Sequence, residues 1–275
     1  MNVYALGASR NIGYYAALRL LKKGATVTYL LRSTSVFDQD PEMQRYVASG
    51  KARLVKGDAL SAPDVERGWK EAQAVKESVD VVLFSVGGTP RLSLTKGFVI
   101  DPANLCTQSI LNVLCTMPTD LRLPELQPRF ITVSSLGLTE ASHAKLPLAL
   151  RPLYGHFIRV PHADKLGSER IVAHCAGRAW TDKEPSPEIT TADWRSREGL
   201  PQAGELKHVV VIRPALLTDG ACKGDTAGKN KPYRATADEL TGCYSVSRRD
   251  VAHFIVEGIL AEGGRWDGQC VNIAY

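Results

Sequence analysis

The sequence lacks the features that mark several classes of protein. Its six cysteines are spread over 275 residues without a Cys-x-x-Cys pair, so no disulfide framework or metal-binding motif is visible and a reducing compartment is favoured. No apolar run is long enough to cross a bilayer, and the first predicted strand begins at Asn2, which leaves no room for a signal peptide. We therefore expect a cytoplasmic protein with no membrane partner and no bound metal.

Blocks of like charge, internal repeats and low-complexity tracts are missing as well. The net charge is only +5, with Lys and Arg scattered along the chain, which gives nucleic-acid binding little support and suits an anionic cofactor. A hydrophobic content of 44% and a charged content of 23% are ordinary for a soluble protein. The length is sufficient to bury the core of one large α/β domain.

A short apolar strand, a glycine turn and a helix predicted over 12–23 open the chain. The turn and the start of the helix contain Gly7, Ala8, Ser9, Arg10, Asn11, Ile12 and Gly13. Gly7 allows a sharp turn and Gly13 allows close packing of the helix on the sheet, while Asn11, at the usual place of a middle glycine, tolerates a positive φ. Backbone N–H groups and the helix dipole favour a pyrophosphate here. The turn therefore predicts a dinucleotide site.

Arg32 follows the second predicted strand, 25–31. An acidic residue near this point binds the ribose hydroxyls in NAD-binding Rossmann folds, whereas an arginine favours a 2′-phosphate. Arg10 is placed to hold the same phosphate from the other side. The sequence thus favours NADP(H) over NAD(H), and the alternative is that both arginines are solvated surface charges.

Strand and helix patterns alternate along the rest of the chain. Strands are predicted at 53–56, 79–85, 129–133, 209–212 and 269–273, with helices at 63–75, at 101–117, up to 176 and at 247–261. These units predict an α/β, Rossmann-type doubly wound, mostly parallel sheet with helices on both faces, in a single domain over 1–275. The helix at 101–117 would begin at Asp101-Pro102, an N-cap followed by a first-position proline.

The segment at about 178–207 interrupts this alternation. It contains Trp180, Trp194 and several prolines, and it is too long for a simple connection. We interpret it as a substrate-side insertion, either a lid that contributes an apolar wall or a surface excursion without function.

Further motifs follow the glycine turn in order: Gly57-Asp58, Ser134-Ser135, Arg213-Pro214 and Arg249-Asp250-Val251-Ala252. With them, nearly the whole chain except 178–207 resembles the short-chain dehydrogenase/reductase superfamily, most closely its atypical branch of NmrA-like proteins and biliverdin reductase B. The resemblance implies a role for residues along the whole NADP(H) molecule. The phosphates would be held by Gly7, Ser9, Arg10 and Gly13, and Arg32 would select NADP. The adenine would be bordered by Asp58 and Ala59. The ribose and diphosphate of the nicotinamide half would lie against Val86 and Gly87, and the nicotinamide ring would be lined by Pro214 and Ala215.

The Tyr-x-x-x-Lys pair of the superfamily is incomplete in this chain. Lys165 is a plausible lysine, but Pro161 stands four residues before it, in the place of the tyrosine. The lysine normally lowers the pKa of the tyrosine so that the phenol exchanges a proton near neutral pH. Lys165 can also bind ribose hydroxyls without taking part in catalysis.

Three residues remain as candidate proton donors. His162 lies one helical turn before Lys165 and is of the type that titrates near physiological pH, although it is equally explained as a buried or solvated helix residue. Ser134, with Ser135 beside it, stands at a strand end, and Tyr154 lies upstream at a different spacing.

The function expected from these features is an NADPH-dependent oxidoreductase. It would transfer hydride to a small conjugated or aromatic carbonyl, enone, quinone or flavin-like substrate, because such acceptors need little acid assistance. Two alternatives stay open: a non-enzymatic NADP(H)-sensing regulator of the NmrA-like kind, or an isomerase or cyclase that performs no redox chemistry. The expected partner is a small molecule rather than nucleic acid, and the chain is expected to be a monomer or a homodimer.

Overall fold

A central sheet organises the computed structural model, which describes residues 1–89, 91–93, 97–145, 158–228 and 231–275. The strands are, in chain order, β1 (Asn2–Leu6), β2 (Thr26–Leu31), β3 (Ala52–Lys56), β4 (Val81–Phe84), β5 (Arg91–Ser93), β6 (Gly97–Val99), β7 (Arg129–Val133), β8 (Val209–Pro214), β9 (Leu216–Thr218), β10 (Arg234–Thr236), β11 (Ser245–Ser247) and β12 (Gln269–Ala274). Eight of them form one sheet in the order β10-β12-β8-β7-β4-β1-β2-β3. Its neighbours are parallel except for β10 and β12.

Helices cover both faces of this sheet. They are α1 (Asn11–Lys22), α2 (Pro41–Ala48), α3 (Ala62–Gln73), α4 (Leu105–Cys115), α5 (Glu140–Ala144), α6 (Arg159–Cys175) and α7 (Arg248–His253), the last continued by π-helical turns over Phe254–Ile259. Side chains of a strand alternate between the faces, so Val3 and Ala5 of β1 pack with α1 and α7, whereas Tyr4 and Leu6 pack with α3, α4 and α6. The predicted doubly wound α/β sheet is confirmed.

The order of the strands creates a switch point beside β1. The chain builds β1, β2 and β3 outward to one edge, and then crosses to the other side of β1 to form β4. Ligands of such sheets bind at the carboxyl ends of the strands beside this reversal. The residues after β1, β2, β4, β7 and β8 therefore meet at one edge, as the sequence predicted.

The start of α4 differs from the prediction. The helix begins at Leu105 rather than at Asp101. The N–H groups of Cys106 and Thr107 donate to the carboxylate of Asp164, at 2.8 Å each, from the neighbouring helix α6. Because Asp164 supplies these acceptors from a distant part of the chain, the local Asp-Pro signal did not locate the helix start.

The segment 178–207 packs against the outer surface of α4 and α6. Trp194 is 3% exposed, and its ring contacts His174 at 5.3 Å between centroids. Arg170 lies over the rings of both Trp180 and Trp194. At about 100° per residue, Arg170 and His174 lie on the side of α6 that faces away from Lys165. The two tryptophans therefore cover the side of α6 opposite Lys165, and the substrate-side role of the segment stays a prediction.

None of the helices in the described part of the chain has both the length and the apolar character needed to cross a membrane.

Candidate active site

The glycine turn is pressed against the end of β4. Gly7 has a φ of 74°, and a Cβ at this position would lie 2.5 Å from the carbonyl carbon of Ser85 and 2.6 Å from its oxygen. A Cβ on Gly13 would lie 2.8 Å from the Cα of Ala8. Asn11 has a φ of 56°, which is the left-handed conformation predicted for it. These close approaches require glycine at both positions and hold the turn beside β4.

The first turn of α1 remains open to an anion. Its N-cap residue, Arg10, makes no capping hydrogen bond through its side chain, and the turn contains no acidic residue. The first N–H groups of a helix have no partner within the helix, so they suit a phosphate. In this turn Ser9 is half-buried, Arg10 and Asn11 are exposed, and Ile12 is buried. The donor set fits the pyrophosphate of a dinucleotide.

The side chain of Arg10 contacts the loop that follows β4. Its guanidinium donates a hydrogen bond to Oγ1 of Thr89 at 2.7 Å, in the loop that follows β4. Gly87 of the same loop is exposed, and a Cβ there would meet no atom within 4 Å. The loop therefore leaves open space beside the glycine turn, and Thr89 is a site residue that the sequence did not indicate.

A groove of about 880 Å³ runs along the edge strand β3, and Arg32, Gly57 and Asp58 line it. Of the arginines in this groove, Arg53 pairs with Glu71 and Arg67 pairs with Asp64, both at 2.8 Å. Arg32 is exposed and makes no ion pair with any described residue. It is thus an uncommitted cation at the carboxyl end of β2.

The residues predicted to border the adenine are held by local contacts. The Asp58 carboxylate accepts a hydrogen bond from the N–H of Leu60 at 2.9 Å, and the Asp58 N–H donates to Asp64 at 2.9 Å. That bond, together with the nearby Arg67, holds the pKa of Asp64 below its usual value. The carbonyl of Ala59 accepts from Asn112 of α4 at 2.9 Å. This loop is therefore fixed in place beside Arg32.

Lys165 joins the ends of two neighbouring strands. Its ammonium donates to the carbonyl of Val86, after β4, at 3.0 Å and to the carbonyl of Val133, in β7, at 2.8 Å. Val86 itself is buried. The lysine predicted from the family pattern therefore lies at the carboxyl edge of the sheet, where two of its three N–H donors are already engaged.

Pro214 and Ala215, which the sequence predicts to line the nicotinamide, are both buried at the end of β8. The Pro214 carbonyl accepts from the N–H of Leu136 at 2.9 Å, and Ala215 is buried in a small apolar cluster that includes Leu136 and Leu240. The following residue, Leu216, is 42% exposed. Leu216 is the apolar side chain that the end of β8 leaves accessible, although the sequence favoured Pro214 and Ala215.

The two serines after β7 have different partners. Ser134 is buried, and its Oγ forms no hydrogen bond with a described residue. It lies near enough to Glu169 to help lower the pKa of that carboxylate. Ser135 is half-buried, and its Oγ lies 3.2 Å from Nε2 of His162. The structure therefore pairs His162 with Ser135 rather than with Ser134.

His162 is uncharged at neutral pH. Burial is the main reason that its pKa falls to about 4; the neighbouring His143 and Lys165 lower it further, and Glu169 opposes them. The sequence suggested an imidazole that titrates in the physiological range, whereas this environment stabilises the neutral ring. Tyr154, the remaining predicted proton donor, lies outside the described residues.

Two curated proteins resemble this chain over nearly its full length. Reductase pytE of Aspergillus terreus is 27% identical over 264 residues, which cover 93% of this chain and 90% of that protein. Oxidase pynE of Aspergillus niger is 22% identical over 280 residues, which cover 94% of this chain and 89% of that protein. No family model matches the chain. Both relatives support an oxidoreductase.

Solved structures share the fold. ChuY, an anaerobilin reductase from Escherichia coli O157:H7, superposes with a TM-score of 0.58 at 18% identity, over 100% of this chain and 97% of that one. A short-chain dehydrogenase from Burkholderia cenocepacia J2315 in complex with NADP has a TM-score of 0.56 at 15% identity, over 99% and 96% of the two chains. These likenesses confirm the predicted Rossmann-type fold.

Proposed function

Because the chain has the fold of the short-chain dehydrogenases and reductases and resembles a reductase over most of its length, we propose that it is an NADPH-dependent reductase. Its substrate is a small conjugated or aromatic carbonyl, enone, quinone or flavin-like molecule. The observation that carries the NADPH preference is Arg32, an exposed cation without an ion pair among the described residues, at the end of β2. A 2′-phosphate supplies the anion that this guanidinium lacks.

The contacts around Lys165 support the class of acceptor. Two donors of its ammonium are bound to main-chain carbonyls, and His162 is neutral, so neither group is a ready acid at neutral pH. Conjugated acceptors place the charge left by hydride transfer on a delocalised system. Such an anion can take its proton from water, so these substrates are suited to the site.

NADP(H), which would supply the hydride from C4 of its nicotinamide, fits the residues at this edge. The turn from Gly7 to Gly13 would hold the pyrophosphate, Arg32 the 2′-phosphate, and Lys165 the ribose of the nicotinamide half. Gly87 leaves the backbone after β4 accessible to the cofactor. Leu216 supplies an apolar contact at the end of β8.

Cofactor titration tests the NADPH preference. We expect NADPH to quench the tryptophan fluorescence at concentrations at least tenfold lower than NADH does. Arg32→Gln should weaken NADPH binding by roughly 10- to 100-fold, since a charged hydrogen bond is worth about 1.5–3 kcal/mol, and should leave NADH binding unchanged. Arg45→Gln, an exposed arginine on α2, is the matched control. Equal affinity of the wild type for both nucleotides would contradict the proposal.

Turnover separates the reductase from a sensor. NADPH oxidation would be followed with benzaldehyde, cyclohexenone, menadione and FMN as acceptors. A regulator that senses NADP(H) is the second candidate, and it is favoured by Pro161 in the place of the tyrosine. If the protein binds NADPH tightly but none of the four acceptors oxidises the bound NADPH, the result would favour the sensor and contradict the reductase.

A further inference from the structure

A serine and a histidine meet at the carboxyl end of β7 in a contact that the Tyr-x-x-x-Lys pattern does not contain. Oγ of Ser135 lies 3.2 Å from Nε2 of His162. His162 is in the first turns of α6, one turn before Lys165, and Lys165 contacts the ends of both β4 and β7. The pair is therefore at the same edge of the sheet as the glycine turn and the proposed nicotinamide site.

Two neighbouring charged groups, Lys165 and Glu169, are committed elsewhere, and Ser134 is less accessible than Ser135. Lys165 donates to two main-chain carbonyls. Ser134 is buried beside Glu169, whose carboxylate is paired with Arg213. Ser135 is half-buried, and its Oγ lies 3.2 Å from both Nε2 of His162 and the carbonyl oxygen of Leu136. The contact between Ser135 and His162 therefore offers a path for a proton between the carboxyl end of β7 and the imidazole.

We propose that Ser135 and His162 form the proton-transfer pair of this enzyme, with Ser135 in contact with the substrate oxygen and His162 exchanging the proton through it. This assignment rests on the proposed reductase function. It adds the residues that exchange a proton with those substrates whose oxygen carries a localised negative charge after hydride transfer.

The step balances as a two-electron reduction of a carbonyl. Hydride leaves C4 of the dihydronicotinamide and forms a C–H bond at the carbonyl carbon, so NADPH is oxidised to NADP⁺. The C=O π electrons move to the oxygen, which takes the proton of the Ser135 hydroxyl. The proton of a protonated His162 then returns to the Ser135 oxygen. In the reverse direction, neutral His162 accepts the alcohol proton through Ser135 as hydride returns to NADP⁺.

The surroundings of His162 set the pH dependence of each direction of the reaction. His143 from α5 and Lys165 from α6 disfavour a positive ring, as does burial, while Glu169 favours it, and the net result is a lowered pKa. The neutral ring that prevails at neutral pH is the base that alcohol oxidation needs. Reduction to an alkoxide needs the protonated ring and therefore slows as pH rises. Reduction of a quinone does not depend on the pair, because its anion is delocalised.

Two acceptors and four variants test this assignment. Ser135→Ala and His162→Gln should each lower benzyl alcohol oxidation at neutral pH, where the ring is neutral, by about 10²- to 10⁴-fold, the usual contribution of general acid–base catalysis. Benzaldehyde reduction should fall by a similar factor only at a pH of about 4, where much of the ring is protonated. Menadione reduction and NADPH affinity should change by less than about threefold on this reasoning. Ser135→Thr keeps a hydroxyl and should retain most of the activity. His174→Gln changes a histidine of the same helix that contacts Trp194, and it should behave as the wild type.

The pH profile distinguishes catalysis from a structural effect. In the wild type, benzyl alcohol oxidation should rise with pH through the pKa of His162, about 4, and then reach a plateau; His162→Gln should remove this rise. If both loss-of-function variants keep the wild-type rate of benzyl alcohol oxidation at neutral pH within about threefold, the assignment fails. The assignment would also be overturned if the wild type reduces menadione but neither oxidises benzyl alcohol nor reduces benzaldehyde. A wild type that reduces no acceptor at all would instead refute the reductase proposal itself.

Discussion

The buried ion pair between Glu169 and Arg213 lies directly beneath the candidate site. The Glu169 side chain is 1% exposed and that of Arg213 is 12% exposed. Nε of Arg213 lies 3.0 Å and 3.2 Å from the two carboxylate oxygens, and its NH2 group makes a further bond to Glu169. Glu169→Ala would leave a nearly buried guanidinium without its carboxylate. We therefore expect a large loss of stability.

The size of this loss follows from the burial of both partners. Removing one member of a buried pair costs about 3–5 kcal/mol, because the remaining charge is uncompensated. This is a large part of the roughly 5–15 kcal/mol that stabilises a typical protein. At about 2–4 °C per kcal/mol for a chain of this size, the melting temperature should fall by on the order of 10 °C. Chemical denaturation of the variant and the wild type measures the free energy directly.

A double variant separates the charge effect from packing. Replacing Glu169 and Arg213 together, as Glu169→Leu with Arg213→Met, removes both buried charges and should recover most of the loss, since apolar replacements of such pairs are often neutral or stabilising. Glu66→Ala is the exposed control, because it breaks an exposed pair with Lys70 on α3 and should cost less than about 0.5 kcal/mol. A cost of less than about 1 kcal/mol for Glu169→Ala would refute this reasoning.

Acid denaturation adds a test of the sign. The Arg213 guanidinium holds the pKa of Glu169 below its usual 4.5, and it outweighs the opposing effect of burial. The ionised carboxylate therefore stabilises the fold fully above about pH 4.5, and this contribution is lost as pH falls through the lower pKa of the folded state. Glu169→Gln cannot ionise, so its stability should fall less on acidification. A steeper fall in the variant would contradict the assignment.

Two further predictions concern the glycine turn and the 178–207 segment. Gly7→Ala should weaken NADPH binding at least tenfold, because its Cβ would meet the backbone of Ser85. Gly24 also has a positive φ, but a Cβ there would meet no atom within 4 Å, so Gly24→Ala should lose only the roughly 1–2 kcal/mol of stability that backbone strain costs and should keep its NADPH affinity. Nucleotide titration and thermal unfolding measure both effects. Trp194→Ala should destabilise the fold by about 3–5 kcal/mol without changing the KM for any acceptor, while Trp180→Ala, at a partly exposed ring, should cost much less. A raised KM with unchanged stability for Trp194→Ala would place the segment over the substrate after all.

The fold was largely predictable because its signals are local. The glycine turn shows this best: Gly7 and Asn11 both take positive φ, which glycine and asparagine tolerate better than other residues. Ser247 likewise caps α7, at the predicted start of the 247–261 helix, by accepting the N–H of Asp250 at 2.9 Å; Ser-x-x-Asp is a local capping pattern. In each of these cases the residues that decide the conformation lie within a few positions of one another.

The candidate site was less predictable because distant residues decide it. Ser134 and Ser135 are adjacent and chemically identical, and only the position of α6 determines that Ser135 contacts His162. The pKa of His162 depends on burial and on His143 from another helix, neither of which the sequence around His162 contains. Residue type and spacing therefore indicated the right helix and the right strand end, but not which serine contacts the histidine.

Two Asp-Pro pairs in this chain show where a helix start is decided by local residues and where it is decided by distant ones. Asp40-Pro41 begins α2, and the Asp40 carboxylate accepts the N–H groups of Glu42 and Met43 at 3.1 Å, so this helix start is set within its own turn. Asp101-Pro102 carries the same signal, but α4 begins later, at Leu105. Its first N–H groups are bound by Asp164, next to Lys165 on α6. Adjacent residues of α6 therefore do two things: Asp164 caps α4, and Lys165 joins the ends of β4 and β7. The start of α4 and the edge of the candidate site both depend on how α6 packs against its neighbours.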